Sequence, residues 1–230
     1  LIFFLPLVYY LVFRYAPIIG GFIIAFKRYV PAIGIIQSKW VGLKYILQFV
    51  RSVYFWRLLR NTLAINLIYL AIGFPLPIIF ALLLNEIRIK WFKRTIQTIS
   101  FLPHFISVVI VASMVMTFLS PSFGIVNNIL ENFGFERIYF LTKPQYFWWI
   151  YNAMSIWQTT GFGAIIYLAA LSGIDPQLYE AAIVDGANRW QQTWHITLPG
   201  ISTTVIVMLL VRIGYLLSAG NVGHEAIILL

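Results

Sequence analysis

The sequence predicts an all-α polytopic membrane protein, and composition and hydropathy are the observations behind this prediction. Hydrophobic residues make up 61% of the 230 residues and charged residues only 10%, and the mean hydropathy is +0.87. Soluble domains carry roughly 25% charged residues, so this composition excludes a soluble domain. Five apolar segments are close to the roughly 20 residues that a helix needs to cross a bilayer.

The five predicted membrane helices are separated by more polar connections. The second helix contains Gly73, Pro75 and Pro77, which we interpret as a kink rather than a binding site, because proline interrupts helical hydrogen bonding. The predicted helices cover residues 1–26, 62–84, 96–119, 147–171 and 198–217.

Two of the connections carry helical signals of their own. Residues 27–61 combine aromatic side chains with seven Lys or Arg residues, a pattern typical of an amphipathic helix that lies on the membrane surface. Residues 120–145 contain a short helical stretch from Val126 to Phe133, which Gly134 closes.

The connection before the fifth predicted helix favours a compact pair of short helices. Asp175 is suited to cap the first of them, with Pro176 at its first position. Gly186 is suited to the turn between the two, either with a positive φ or where a Cβ atom would clash. Trp190 and Trp194 recur at helical spacing in the second. Since a plain connection needs no such pair, the segment predicts a surface that another protein binds.

Three short motifs in this connection carry a resemblance to a known family. They are Glu180-Ala181-Ala182, then Asp185-Gly186-Ala187, then Ile196, Leu198 and Pro199. Their order and spacing resemble the EAA loop of permease subunits of binding-protein-dependent ABC importers. In that family the loop holds a coupling helix that sits in a groove of a cytoplasmic ATPase subunit. The resemblance therefore implies that the first two motifs form the ATPase-coupling site; the alternative is an amphipathic loop without this role.

Further motifs narrow the resemblance to the carbohydrate-uptake group of these permeases. Phe92–Thr98 and Phe101–Ser107 look like segments of permeases that import oligosaccharides or polysaccharide fragments. The similarity covers nearly the whole chain and implies the transmembrane fold of type I ABC importers. It implies a single domain over residues 1–230 that is incomplete at both ends, with a sixth membrane helix expected. Within this domain, residues 173–199 are expected to form the cytoplasmic coupling loop.

The same resemblance implies a set of partners in the cell membrane of a prokaryote. They are two cytoplasmic ABC ATPase subunits, a second and related permease, an extracellular solute-binding protein and the oligosaccharide. No Gly-x-x-x-x-Gly-Lys-[Ser/Thr] motif occurs in this chain, so we expect ATP and magnesium to be used by the ATPase subunits. We expect no enzymatic activity and no cofactor on this chain, and no metal site, because its three histidines are scattered. We also expect no nucleic acid partner, because basic loops explain the net charge of +9.

Two alternative functions stay open on the sequence. One is an importer permease for another small solute. The other is an ion-coupled secondary transporter, which needs an acidic side chain inside a membrane helix to couple a cation. All seven acidic residues fall in loops or near helix ends, which disfavours the second alternative.

Four polar side chains are candidates for a substrate path, namely Asn66, Ser107, Gln158 and Tyr167. They come from three predicted membrane helices, and sugar recognition uses hydrogen bonds to hydroxyl groups together with aromatic faces. The alternative is that such side chains serve the packing of helices against each other.

Two basic side chains carry open alternatives. Arg212 lies within the fifth apolar segment, where a charge has a functional or paired role or extends to the membrane interface. His104 follows a Leu-Pro pair, and it is either a substrate contact or a structural residue of a helix-start turn.

The orientation in the membrane is the one point on which charge and resemblance disagree. Residues 27–61 together with Arg137 and Lys143 carry more Lys and Arg than the opposite side, so the positive-inside rule places residues 27–61 in the cytoplasm. The resemblance requires the coupling loop in the cytoplasm and residues 27–61 outside. We follow the resemblance, because its motifs are more specific than a charge count.

Overall fold

Long helices dominate the computed structural model, which describes residues 3–216. These residues divide into two units, one ending at Arg60 and one beginning at Asn61. The prediction of an all-α chain holds for the described residues apart from one pair of two-residue strands.

The first unit begins with α1 (Phe4–Ala25), which is long and apolar enough to cross a membrane. The strands β1 (Lys27–Arg28) and β2 (Lys39–Trp40) then pair in antiparallel fashion. Between them lies α2 (Gly34–Gln37), and α3 (Lys44–Val50) follows.

Residues 27–61, in which the sequence predicts a helix on the membrane surface, begin with a hairpin that local contacts close, and the helices α2 and α3 are short. Lys27 Nζ donates to the carbonyl of Ile35 at 2.9 Å. The Ser38 hydroxyl donates to the carbonyl of Gly34 at 2.6 Å. The Phe26 and Trp40 rings stack with their centroids 5.5 Å apart. The position of this segment on the membrane surface stays a prediction.

Helix α4 (Val53–Glu86) is 34 residues long, so the second predicted helix extends further at its start than expected. The predicted kink is a π-helical turn at Tyr69–Gly73, in which the backbone N–H of Phe74 donates to the carbonyl of Tyr69 at 2.9 Å. Pro75 and Pro77 follow at the start of the next α-helical stretch, where a missing N–H is tolerated.

The third predicted helix, residues 96–119, is broken into two helices bent by 98°. They are α5 (Lys90–Phe105) and α6 (Val108–Phe118). Pro103 lies in the 3₁₀ turn that ends α5, and Ile106 and Ser107 then adopt extended backbone conformations. Proline interrupts the helical ladder, and the side chain of Gln158 donates to the carbonyl of Ile106 at 2.7 Å. The Gln158 side chain thus satisfies the Ile106 carbonyl at the break, which lies outside both helices.

The connector after α6 is ordered around one buried side chain. Helix α7 (Ile125–Asn132) agrees closely with the predicted stretch, and Gly134 ends it with φ of 83°. Asn127 is fully buried, and its side chain exchanges hydrogen bonds with both backbone groups of Ile138 at 2.8 and 3.0 Å.

Helix α8 (Pro144–Ser172) lies at the centre of the second unit and confirms the fourth predicted membrane helix. A Cβ atom at Gly161 would overlap with the backbone of Ser100 in α5, so the two helices touch backbone to backbone. Two clusters of buried residues flank this contact. One contains Ile65, Val111, Tyr151 and Met154, and the other contains Ala81, Ala164, Tyr167, Leu171 and Ile201.

The last two described helices are α9 (Pro176–Val184) and α10 (Arg189–Gly214). Helix α10 contains a π-helical turn at Thr193–Thr197 and begins nine residues before the fifth predicted membrane helix. Within residues 3–216, the helices α1, α4, α8 and α10 are long and apolar enough to span a membrane, and α5 with α6 adds a fifth if the bent pair counts as one.

Candidate functional site

The coupling loop, residues 173–199, contains the predicted pair of short helices. Asp175 caps α9, because its side chain accepts a hydrogen bond from the backbone N–H of Gln177 at 2.9 Å. Pro176 occupies the first position of the helix, where its missing N–H costs nothing. Both predictions are confirmed.

Gly186 makes the turn between α9 and α10 possible through its backbone conformation. Its φ is 77°, and the N–H groups of Gly186 and Ala187 donate to the carbonyls of Ile183 and Ala182 at 3.0 and 2.8 Å. This is the Schellman arrangement, which requires a left-handed residue after the helix. The predicted positive φ is confirmed. The alternative of a clash is wrong, because a Cβ atom there would meet nothing within 4 Å.

A capping box that the sequence analysis missed starts α10. Asn188 accepts from the N–H of Gln191 at 3.0 Å, and its own N–H donates to the Gln191 side chain at 2.7 Å. The spacing Asn-x-x-Gln is a known signal of a helix start and was present in the sequence. Because α10 starts in the coupling loop and continues to Gly214, the loop and the apolar helix form one element.

Side chains connect the coupling loop to the helices around it. The Tyr179 hydroxyl of α9 lies 3.0 Å from the Thr197 hydroxyl of α10. Tyr179 is the donor, since Thr197 donates to the Gln192 carbonyl. Arg189 forms an ion pair with Glu86 at the end of α4, with 2.9 Å between nitrogen and oxygen. Such an exposed ion pair contributes roughly 0 to 1 kcal/mol to stability, so its main role is to fix the start of α10 beside the end of α4.

The six predicted coupling residues lie on the accessible part of this loop. Ala182 and Ala187 are half-buried and the other four are exposed, namely Glu180, Ala181, Asp185 and Gly186. In the described part of the chain, the Glu180 and Asp185 side chains make no hydrogen bond or ion pair. Large apolar side chains lie exposed around them, at Leu178, Ile183, Val184 and Trp190. The loop therefore presents apolar surface with free carboxylates, and its binding to an ATPase stays a prediction.

A second feature, the central cavity, lies between α4, α5, α8 and α10. Its volume is about 260 Å³, and its lining is mostly apolar. The π-helical turn of α4 contributes to this lining, so the interpretation of that region as a kink without a site was incomplete. The side chains on its wall that carry polar groups are Tyr69, His104, Thr159, Tyr167, Arg212 and Tyr215.

Arg212 is held at the wall of the central cavity by two contacts. Its Nη2 donates to the side-chain oxygen of Asn66 at 3.2 Å. Its guanidinium carbon lies 4.0 Å from the centroid of the Tyr69 ring, a cation–π contact. Tyr69 is itself fixed by a hydrogen bond of 2.9 Å between its hydroxyl and that of Thr159. Tyr69 is the donor, since Thr159 donates to the Ser155 carbonyl. The structure thus favours the paired interpretation of Arg212 over extension to the interface.

The four predicted substrate-path residues do not form one cluster. Tyr167 lies on the cavity wall, and Asn66 touches the cavity through Arg212. Gln158 instead supports the bend between α5 and α6, and Ser107 is exposed at that bend. Since Gln158 and Tyr167 are nine residues apart on one helix, their positions differ by about 14 Å. Their role in transport stays a prediction.

His104 is also part of the cavity wall, and its ring stacks on Phe162 with centroids 3.9 Å apart. The sequence left two alternatives for His104, and the structure places it both at a 3₁₀ turn and on the cavity wall.

The position of Arg212 had a signal in the sequence, since a charge in an apolar helix marks a candidate site. Tyr69 had a weaker signal, as a tyrosine within the second apolar segment, because aromatic side chains are common throughout this chain.

Comparison with known proteins decides the family. Residues 73–222 match the family described as "Binding-protein-dependent transport system inner membrane component". The chain belongs to this family. The permease is 46% identical to the polygalacturonan/rhamnogalacturonan transport system permease protein YteP of Bacillus subtilis, over 93% of this chain and 66% of YteP. It is 45% identical to the protein LplB of the same organism, over 97% of this chain and 69% of LplB.

Solved structures show the same fold. The permease superposes with a TM-score of 0.89 on a chain of a bacterial ABC transporter involved in the import of the acidic polysaccharide alginate. The two chains are 45% identical, and the match covers 100% of this chain and 75% of the other. The predicted family and its type I importer fold are confirmed, which disfavours the alternative of an ion-coupled secondary transporter. The permease spans about two thirds of the length of the curated relatives.

Proposed function

We propose that the permease is one transmembrane subunit of an ATP-driven importer that moves oligosaccharides delivered by an extracellular solute-binding protein. The observation that carries this proposal is the continuity of α10, which begins in the coupling loop at Arg189 and bears Arg212 on the wall of the central cavity. The names of the relatives support the substrate class. A second solved structure, also 45% identical, is described as an alginate ABC transporter in complex with an alginate pentasaccharide-bound periplasmic protein.

The proposed ATPase contact is the exposed end of α9 with the turn at Gly186. Two cytoplasmic ABC ATPase subunits would bind ATP and magnesium, and one of them would hold the apolar surface at Ile183 and Val184, which are 63% and 87% exposed. Closure of the ATPases then pushes on α9. The Schellman turn, the capping box and the Tyr179–Thr197 hydrogen bond connect α9 to α10, so the push moves α10 as a rigid body.

The central cavity is the proposed part of the substrate path. Tyrosine faces cover the apolar faces of a sugar ring, and hydroxyl and guanidinium groups bond its oxygens. A movement of α10 relative to α4 and α8 changes the shape of this cavity, as alternating access requires. A second permease, related to this one, would supply the opposite wall.

The proposal places the permease in the cell membrane of a prokaryote. The coupling loop faces the cytoplasm, where ATP is available, and the hairpin at residues 27–40 and the connector around Asn127 face outside. No enzymatic step is assigned to this chain.

Reconstitution of the complete importer tests the proposal. Proteoliposomes with this permease, its partner permease and the ATPase subunits should hydrolyse ATP faster when the loaded solute-binding protein is added outside, and should accumulate labelled oligosaccharide. The matched control omits the solute-binding protein. Accumulation that follows an ion gradient without ATP, or the absence of any P-loop ATPase in a complex purified through this chain, would contradict the proposal.

A further inference from the structure

The Arg212 side chain is incompletely satisfied in the described part of the permease. Its Nη2 donates to Asn66, but its Nη1 is buried and has no hydrogen-bond partner among residues 3–216. A buried donor without an acceptor is costly, and more so when it carries charge. The Arg212 side chain also lines the central cavity, so an anion bound there would offset the cost of the buried charge.

None of the described acidic side chains lies on the cavity wall to neutralise Arg212. Glu86 pairs with Arg189 and Glu131 pairs with Arg137, both away from the cavity. The carboxylates of the coupling loop lie at its exposed surface. Glu225 lies outside the described residues.

The guanidinium is also positioned in advance of any ligand. The Tyr69 ring lies 4.0 Å from its carbon atom, and the Asn66 oxygen holds one end of its plane. Arginine presents its donors as a rigid planar fork, which matches the two oxygens of a carboxylate. Because the fork is fixed, little rotational freedom is lost when an anion binds.

From these contacts we infer that Arg212 is a specificity-determining residue that binds a carboxylate of the transported oligosaccharide, so that the permease selects sugars with uronic acid units. This inference rests on the proposed function. A carboxylate fits better than a phosphate ester, which carries a charge of about −1.5 to −2. One arginine balances one carboxylate, and no lysine or second arginine lines the described cavity wall.

A pair of ligands that differ in whether their carboxyl groups are charged tests the inference. The probes are trigalacturonate and its fully methyl-esterified form, and the sample is the complete importer in detergent without its solute-binding protein. A hydrogen bond to a charged group predicts that the acid binds about 10-fold or more tightly than the ester. Arg212→Gln should remove this preference by weakening the acid alone, while Arg212→Lys should keep part of it.

Two control variants separate the local effect from a general change of charge. Lys143→Gln removes one positive charge from an exposed site at the start of α8 and should leave the preference unchanged. Glu225→Gln should also leave it unchanged. If the wild type shows no preference and Glu225→Gln creates one, Arg212 is paired within the chain and the inference is wrong.

The same preparation distinguishes failure of this inference from failure of the proposed function. Equal binding of acid and ester by the wild type, or an equal loss of both in Arg212→Gln, overturns the role of Arg212. The proposed function survives that outcome if loaded solute-binding protein still stimulates ATP hydrolysis. If Arg212→Gln does not assemble with its partners, the wild-type comparison and Arg212→Lys decide, and a preference in Arg212→Lys equal to that of the wild type contradicts a contact that depends on the guanidinium.

Discussion

Single glycine residues in this permease act for two opposite physical reasons. Gly186 has a positive φ and open space around its missing side chain, so only its backbone conformation excludes other residues. Gly161 has ordinary helical geometry, but a side chain there would overlap with the backbone of Ser100. The first glycine shapes a turn at the coupling loop, whereas the second sets the distance between two helices.

The left-handed turn at Gly186 predicts a specific pattern of substitutions. Gly186→Val should reduce transport and the amount of ATPase subunit that co-purifies, because a left-handed conformation costs a residue with a Cβ atom roughly 1 to 2 kcal/mol. Gly186→Asn should be tolerated better, since asparagine adopts this conformation more readily. The measurement is ATPase bound per membrane-inserted permease.

Gly134 provides the matched control for this prediction. It also has a positive φ, 83°, with nothing near its missing Cβ atom, but it lies in the connector after α7. Gly134→Val carries a comparable backbone cost and should leave ATPase association intact. Normal transport and association in Gly186→Val would show that the turn does not shape the coupling surface.

At the scale of elements, close helix packing in the second unit depends on α8. At Gly161 the helix touches the backbone of α5. At Gly163 a Cβ atom would lie 3.4 Å from the Pro77 side chain of α4, which is an ordinary van der Waals contact. The same helix carries Tyr167 on the wall of the central cavity. The packing of α8 therefore decides where the cavity lies.

Two glycine-to-alanine substitutions on α8 test this packing. Gly161→Ala should lower the melting temperature of the solubilised importer, because overpacking a tight contact costs typically about 1 to 3 kcal/mol. Gly163→Ala adds the same methyl group two residues away and should change the melting temperature little. Equal changes in melting temperature in the two variants would mean that the backbone at Ser100 moves aside without loss of stability.

The elements show which features a sequence can reveal. The apolar length of α8 was predicted because hydropathy reports burial in lipid directly. The bend between α5 and α6 was missed, although Pro103 marked it, because apolar residues continue on both sides. The contact between Asn66 and Arg212 joins residues 146 positions apart, and no local pattern contains such a partner. The family motifs located the coupling loop, but only the structure shows the central cavity, because its lining comes from four helices that are distant in sequence.

At the scale of the whole second unit, α4 and α10 run antiparallel and are joined at two polar points. Glu86 pairs with Arg189 near the coupling loop, and Asn66 pairs with Arg212 at the cavity. The twenty residues from Asn66 to Glu86 correspond to about 30 Å of helix, so the two polar points lie far apart along the helix pair. The two helices thus connect the proposed ATPase surface with the proposed substrate path.

The orientation of this helix pair is the last prediction, and it decides between the charge count and the family. The chain has no cysteine, so single cysteines report their own side of the membrane. Asn128→Cys, on the exposed face of α7, should react with an impermeant thiol reagent in intact cells. Val184→Cys in the coupling loop should react only after permeabilisation. Ile89→Cys, 57% exposed between α4 and α5, controls for shielding by a bound ATPase and should behave like Val184→Cys. Labelling of both Val184→Cys and Ile89→Cys in intact cells would place the coupling loop outside, where no ATP is available to drive it.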